Sequence, residues 1–194
     1  MELLDLAIIF QLFVLINPLS SLPMLVSAHK QKMNVKRIAV SATVVAFIVA
    51  FVMTAIGPNL FSLFSISIDT FKIAGGLVLV LLSIETFLSK GEPAKNINAT
   101  DSIISIIATP LLTGPAVISF VIIKSLEIGT FAMEINLIPA FILTGIIFVF
   151  LSFALNKLNM QIVAILSKIL ALFLTAIGIE LIISGARVAL GAGI

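Results

Sequence analysis

The stretch IAVSATVVAFIVAFVMTAIGPNL, Ile38–Leu60, decides the fold. It carries no charged side chain, and it is long enough to cross a hydrocarbon core, which takes about 20 apolar residues in helical form. It is also too long and too evenly apolar for a strand of a transmembrane barrel, whose segments are short and alternate in polarity. Working outward, similar runs recur at roughly Leu3–Ser27, Thr70–Leu88, Ser102–Ile123, Ile135–Leu155 and Gln161–Ile183. The sequence therefore predicts six transmembrane helices, which with short loops nearly exhaust 194 residues.

Composition agrees. The chain is 61% apolar and 10% charged, with a mean hydropathy of +1.32. A soluble domain carries about 25% charged residues, so this chain lacks the polar groups to cover a globule in water. Cysteine is absent, which excludes disulfides, thiolate catalysis and cysteine-bound metal. The net charge of +2 gives no reason to expect nucleic acid. The first run has Glu2 and Asp5 in place of a basic leader and is interrupted by Asn17-Pro18, so it reads as a helix and not a signal peptide.

Polar loops separate the runs: the first around His29 to Arg37, the second at Gly57-Pro58-Asn59, the third from Ser89 to Asp101, the fourth with Lys124, Glu127 and Glu134, the fifth at Asn156 to Asn159. Lys30, Lys32, Lys36, Arg37, Lys90, Lys95 and Lys157 fall in the odd-numbered loops. Positive charge marks the cytoplasmic side, so a multi-pass protein of the cell membrane with both termini outside is expected.

The runs repeat. Pro18-Leu19-Ser20-Ser21-Leu22-Pro23 in the first is matched by Pro110-Leu111-Leu112-Thr113-Gly114-Pro115 in the fourth. Phe71-Lys72-Ile73 with Glu85 in the third is matched by Ser167-Lys168-Ile169 with Glu180 in the sixth. Each half has an odd number of spans, so the second enters from the opposite side, as in the inverted repeats of transporters. The expected architecture is all-α: one transmembrane domain over residues 1–194, built from two inverted three-helix repeats (about 1–90 and 100–194), with helices 1 and 4 broken.

The breaks carry the functional reading. Proline lacks an amide hydrogen and clashes with the preceding turn, so two prolines five residues apart open a helix. The exposed amides at the start of the second half suit a carboxylate. Asn17, Ser20, Ser21, Thr109 and Thr113 would line the site, Pro18, Pro23, Pro110 and Pro115 would hold the helices open, and Gly114 would allow close approach. Ordinary kinks are the plain alternative for a single motif; two matching motifs favour a site. Gly75-Gly76 reads as helix packing. Charges inside spans are costly. Glu180 and Glu85 are the candidates for proton coupling. Lys72 and Lys168 are further intramembrane charges, with Asp69 a partner for Lys72 on one helical face. His29 reads as a solvated loop residue. No histidine lies within a span to activate a serine, and there is no zinc-protease or nucleotide-binding motif. Hence neither an enzyme nor a bound metal or cofactor is expected.

These motifs, Asn17 to Pro23, Phe71-Lys72-Ile73-Ala74-Gly75-Gly76 and Pro110 to Pro115, in matching order and spacing along the whole chain, resemble the MarC family. The resemblance implies a six-span protein of the LysE-type transporter superfamily, in a family also called the neutral amino acid transporter family because a member moves glycine and alanine. The family usually has Gly at the position of Ser20, and a basic residue at that of Lys72. The expected activity is secondary transport of small neutral amino acids such as glycine, alanine or serine by alternating access. The alternatives are export of amino acids or other small metabolites, translocation of a lipid or lipid carrier with Lys72 and Lys168 near its headgroup, and a non-transport scaffold or assembly protein, which would need no broken helices. The expected partners are a small-molecule substrate and the lipid bilayer; the small residues leave room for a homo-oligomer without locating its interface.

Overall fold

The computed structural model describes residues 4–88, 114–155 and 158–190. The expected third loop and the fourth-span positions Thr109, Pro110 and Thr113 lie outside the described residues, as does Lys157. The described chain is helical throughout, with seven helices: α1 Leu6–Ile16, α2 Leu22–Lys30, α3 Val35–Phe64, α4 Ile68–Leu88, α5 Pro115–Ile128, α6 Thr130–Ala154 and α7 Met160–Ala189. Among them, α3, α4, α6 and α7 are long and apolar enough to cross a membrane. The 11 residues of α1 and the 14 of α5 are not, since they rise only about 16 and 21 Å against a core of about 30 Å.

Three loops differ from expectation. The first narrows to residues 31–34, with His29 and Lys30 in α2 and Lys36 and Arg37 in α3. Gly57-Pro58-Asn59 is not a loop: α3 runs through Pro58 to Phe64, and the turn to α4 comes at Ser65, whose φ is 52°. Proline is tolerated inside a membrane helix where neighbours satisfy the freed groups. Here Gly57 also lets α5 press in, because a Cβ at Gly57 would sit 2.5 Å from Ile122 Cγ1. The fourth loop shrinks to one residue. Lys124 and Glu127 belong to the last turns of α5, Glu134 to the start of α6, and Gly129 alone makes the corner at φ 92°, a conformation side chains resist.

Side-chain contacts fix the helix directions. Asp5 N–H donates to Asn136 Oδ1 near the start of α6, so α1 begins beside that end. Gly129 joins the end of α5 to the start of α6. A Cβ at Gly185, late in α7, would meet Asp69 O, early in α4. One end of the bundle therefore holds the starts of α1, α4 and α6 and the ends of α3, α5 and α7. The main seams are α4 along α7 and α3 along α6, both antiparallel, with α5 wedged against α3 and α4, and α1 against α6.

The α4–α7 seam explains Gly75-Gly76. A Cβ on Gly76 would strike Gly178 O, and one on Gly178 would lie 2.8 Å from Gly76 O, so the two backbones touch. A Cβ on Gly75 would come 3.0 Å from Ser119 Cβ of α5. The packing reading holds. The core is filled by Leu12, Leu22, Leu79, Phe120, Met133 and Phe148, while Leu81, Ile142, Ile146, Phe150 and Leu172 are exposed. An apolar exterior over several long helices is a lipid-facing surface. Hydroxyls on the helices turn inward to their own backbone: Thr43, Thr54, Ser83, Thr144 and Thr175 each donate to the carbonyl four residues earlier. These five hydroxyls are therefore not left bare in hydrocarbon.

Candidate substrate site at the broken first helix

The first span breaks where its prolines predict. Asp5 caps the start of α1 by accepting from the amides of Ala7 and Ile8 at 2.8 and 3.3 Å. The helix ends at Asn17, which takes the left-handed conformation (φ 41°, ψ 68°) with its N–H donating to Phe13 O. Asparagine is among the few non-glycine residues that adopt this cap readily, and Pro18 then cannot continue the helix. Pro23 lies at the second position of α2, where a missing amide hydrogen costs nothing. One proline stops a helix and the other starts the next. The four residues between form a turn in which Ser20 N and Ser20 Oγ both donate to Asn17 O, at 3.1 and 2.8 Å.

Asn17 is the notable group. It is 94% buried by its 6% exposure, and its Oδ1 accepts no hydrogen bond among the described residues. Leaving a buried acceptor unsatisfied costs about 1–3 kcal/mol. It lies about 16 Å along α1 from the end at Asp5, well inside the depth of the long helices. Pro18 and Ser21 are buried beside it. Ser20, in contrast, is exposed, and its hydroxyl is used by the turn.

The second motif contributes its last two residues to the described structure. Gly114 is the N-cap of α5 and Pro115 its first residue. No side chain caps this terminus, and a Cβ built on Gly114 meets nothing within 4 Å among the described residues. Two turns before Ile122, which faces Gly57, Pro115 falls level with the middle of α3. The α5 N-terminus is thus a positively polarised end at the depth of mid-α3, without a side-chain cap among the described residues, and α1 touches α5.

The intramembrane charges are not gathered at the break. Glu85, Lys168 and Glu180 are exposed on the outside of the α4–α7 pair and make no ion pair among the described residues. Lys72 does not pair with Asp69. Its Nζ reaches across to Glu127 Oε1 of α5 at 2.6 Å, while Lys124 Nζ holds Oε2 at 2.8 Å. Glu127 lies beyond the expected end of the fourth span. Partial burial pushes its carboxyl up, but the hydrogen bonds and charges of Lys124 and Lys72 outweigh this and leave it below its ordinary value of 4.5. His29 is exposed, but in the last turn of α2 and not in a loop.

Two functional-looking residues escape the sequence reading. Glu127 joins α4 to α5, and only the pairing of those helices reveals it. Asn136 is 1% exposed, accepting from Asp5 N and donating from Nδ2 to Ala132 O at 2.8 Å. A lone amide in the apolar run Ile135–Leu155 was the available signal. No group of three or more potential metal ligands occurs among the described residues.

A bundle with an apolar exterior, four full-length spans and a broken, polar first helix defines a polytopic α-helical integral membrane protein. The model of the MarC family integral membrane protein matches residues 4–190, and the chain belongs to that family. A UPF0056 membrane protein of Methanocaldococcus jannaschii is 30% identical, covering 92% of this chain and 94% of its own. One from Archaeoglobus fulgidus is 26% identical over 90% and 88%. The UPF0056 membrane protein YhcE of Escherichia coli is 28% identical over 91% and 88%. No solved structure matches.

Proposed function

We propose that this protein is a secondary transporter of small neutral amino acids such as glycine, alanine and serine, with the break in the first span as its substrate site. The observation that carries the reading is the buried, unpartnered Oδ1 of Asn17 at the break. An α-amino acid complements it. The ammonium donates to Asn17 Oδ1, and the carboxylate turns to the uncapped N-terminus of α5 at Gly114 and Pro115. Ser21 adds to the lining, and Pro18 and Pro23 hold the chain open; Thr109, Pro110 and Thr113 are the sequence's candidates for the other side. The resemblance to a neutral amino acid transporter family suggests a small zwitterionic substrate.

In this reading the six spans form two inverted three-helix repeats, the first ending with α4 and the second with α7. The antiparallel α4–α7 and α3–α6 seams support it, because equivalent helices of an inverted repeat run in opposite directions. Alternating access is a rocking of one half on the other. The end carrying Lys30, Lys32, Lys36 and Arg37 faces the cytoplasm, with both termini outside. Glu180 and Glu85 remain the candidates for proton coupling, through a change of exposure during the cycle. Of the two cations that a lipid translocator would use, Lys72 is tied to Glu127, while Lys168 is exposed on α7.

The test is uptake of labelled glycine and alanine by purified protein in liposomes, with and without an imposed pH gradient. Saturable uptake is expected, and Asn17→Gly, which keeps the left-handed backbone while removing the amide, should lower it by roughly ten-fold or more, the loss of one hydrogen bond to a charged group. Thr113→Val should act in the same direction. Saturable uptake untouched by both substitutions would remove the site from this position.

A further inference from the structure

A groove runs between α3 and α6 on the lipid-facing surface, separate from the broken helix. Its volume is about 360 Å³, and its walls include Val40, Val44 and Phe47 of α3 and Ile142, Ile146 and Val149 of α6. Towards the end of the bundle where α3 begins, it continues over Phe150 and Phe153 in a second hollow of about 420 Å³. The walls are almost wholly hydrocarbon. Thr43, the one hydroxyl on them, is spent on Ala39 O at 2.9 Å. Gly145 lies opposite Thr43, where a Cβ would come 3.0 Å from Thr43 Cγ2, so the two helices are as close as their side chains permit and the groove is the gap their larger neighbours leave.

The mouth of this groove is basic. Lys36 lies one turn before Val40 on the same stripe of α3, and its Nζ sits 5.4 Å from the centre of the Phe153 ring. Arg37 is exposed beside it, with its backbone N–H capped by Asn34 Oδ1 at 3.0 Å. Neither cation has a carboxylate partner among the described residues. An open apolar channel thus ends under two unpaired positive charges at a membrane boundary.

We infer that this groove is a binding site for an anionic phospholipid, one acyl chain lying along α3 and α6 and the phosphate held by Lys36 and Arg37. Three features fit this occupant together. The channel is open sideways to the bilayer, its lining offers nothing to a polar ligand, and its charged end coincides with headgroup depth. Basic groups at a membrane surface favour anionic headgroups, and the lysine stem can lie over Phe153 while its charge remains at the interface. A second copy of this chain would also cover the groove, but would place Lys36 and Arg37 of the two copies in an apolar contact without a counter-charge. The inference does not depend on what the protein transports.

Native mass spectrometry of the purified protein in micelles, doped equally with a phosphatidylglycerol and a phosphatidylcholine of identical tails, tests it. The intact protein should retain the anionic lipid in preference by roughly ten-fold, as two cations near one phosphate imply. The paired substitution Lys36→Gln and Arg37→Gln should remove the preference. Val44→Trp, at an exposed groove position, should reduce retention of both lipids while leaving thermal unfolding unchanged. Equal retention of the two lipids by the unaltered protein would overturn the proposal. So would an unchanged preference in the paired variant, or a dimer that excludes lipid from the groove.

Discussion

The break at residues 17–21 and the seam between α4 and α7 are built from the same small vocabulary of helix-perturbing residues, with opposite results. At the break, Pro18 and Pro23 stop one helix and start another, and Asn17 is left buried with an unanswered oxygen. At the seam, Gly76 and Gly178 keep both helices unbroken and bring the backbones into contact, with nothing polar left over. Proline removes a hydrogen bond and so creates chemistry in a membrane; glycine removes a side chain and so creates proximity. The seam is a structural axis, and the break leaves a buried acceptor without a partner among the described residues.

The largest predicted effect lies on the seam. Gly76→Val should force α4 from α7, at a cost of about 1–3 kcal/mol or more for overpacking, and should lower the thermal unfolding temperature in detergent strongly. Unchanged unfolding would mean the backbones are not in contact. At the break the effect should divide differently. Asn17→Gly should leave unfolding within about 1 kcal/mol or raise it, because the unsatisfied oxygen disappears, while transport falls; a large loss of stability would make Asn17 a structural residue only.

Between these sits the ion pair at one end. Glu127 is held below its ordinary value, so its contribution to stability is present above about pH 4.5 and is lost as pH falls through the lower, folded value. Glu127→Gln should therefore flatten the acid limb of the unfolding profile. The cost at neutral pH should be small, about 0.2–1 kcal/mol for a half-exposed pair. An acid limb identical in the variant would sever Glu127 from this role. The smallest effect is expected from Ser20→Gly. It removes one hydrogen bond from an exposed side chain to Asn17 O, which the backbone N–H of residue 20 still holds, and should leave both unfolding and apparent substrate affinity nearly unchanged because the hydroxyl serves only the turn.

Much of this comparison was legible in the sequence. The long apolar runs declare membrane helices, and the spacing of Pro18 and Pro23 locates the break to the residue. Gly57-Pro58-Asn59 misleads because a proline within a membrane helix and a proline in a loop look alike until a neighbour is known; here Ile122 fills the space at Gly57. Asp69 and Lys72 mislead for a related reason. Their spacing permits a local pair, but the arrival of α5 brings Glu127 within 2.6 Å of the lysine. Charges within a span could be found by eye, yet their direction could not, and Glu85, Lys168 and Glu180 all face outward. Local chemistry is written in the order of residues. Which side chains meet across helices depends on packing that one chain's periodicity does not encode.

The absence of cysteine permits the most direct test of the central claim. A single Ser20→Cys substitution places one thiol at the edge of the break, leaving Asn17 intact. Its labelling by a small, polar thiol reagent in reconstituted membranes should be slowed by saturating alanine or glycine and not by a large or anionic amino acid. The same thiol introduced by Leu79→Cys on the seam should stay unlabelled throughout. Labelling of Ser20→Cys at the same rate with and without alanine and glycine, in protein that is otherwise folded, would contradict a substrate site at the broken first helix.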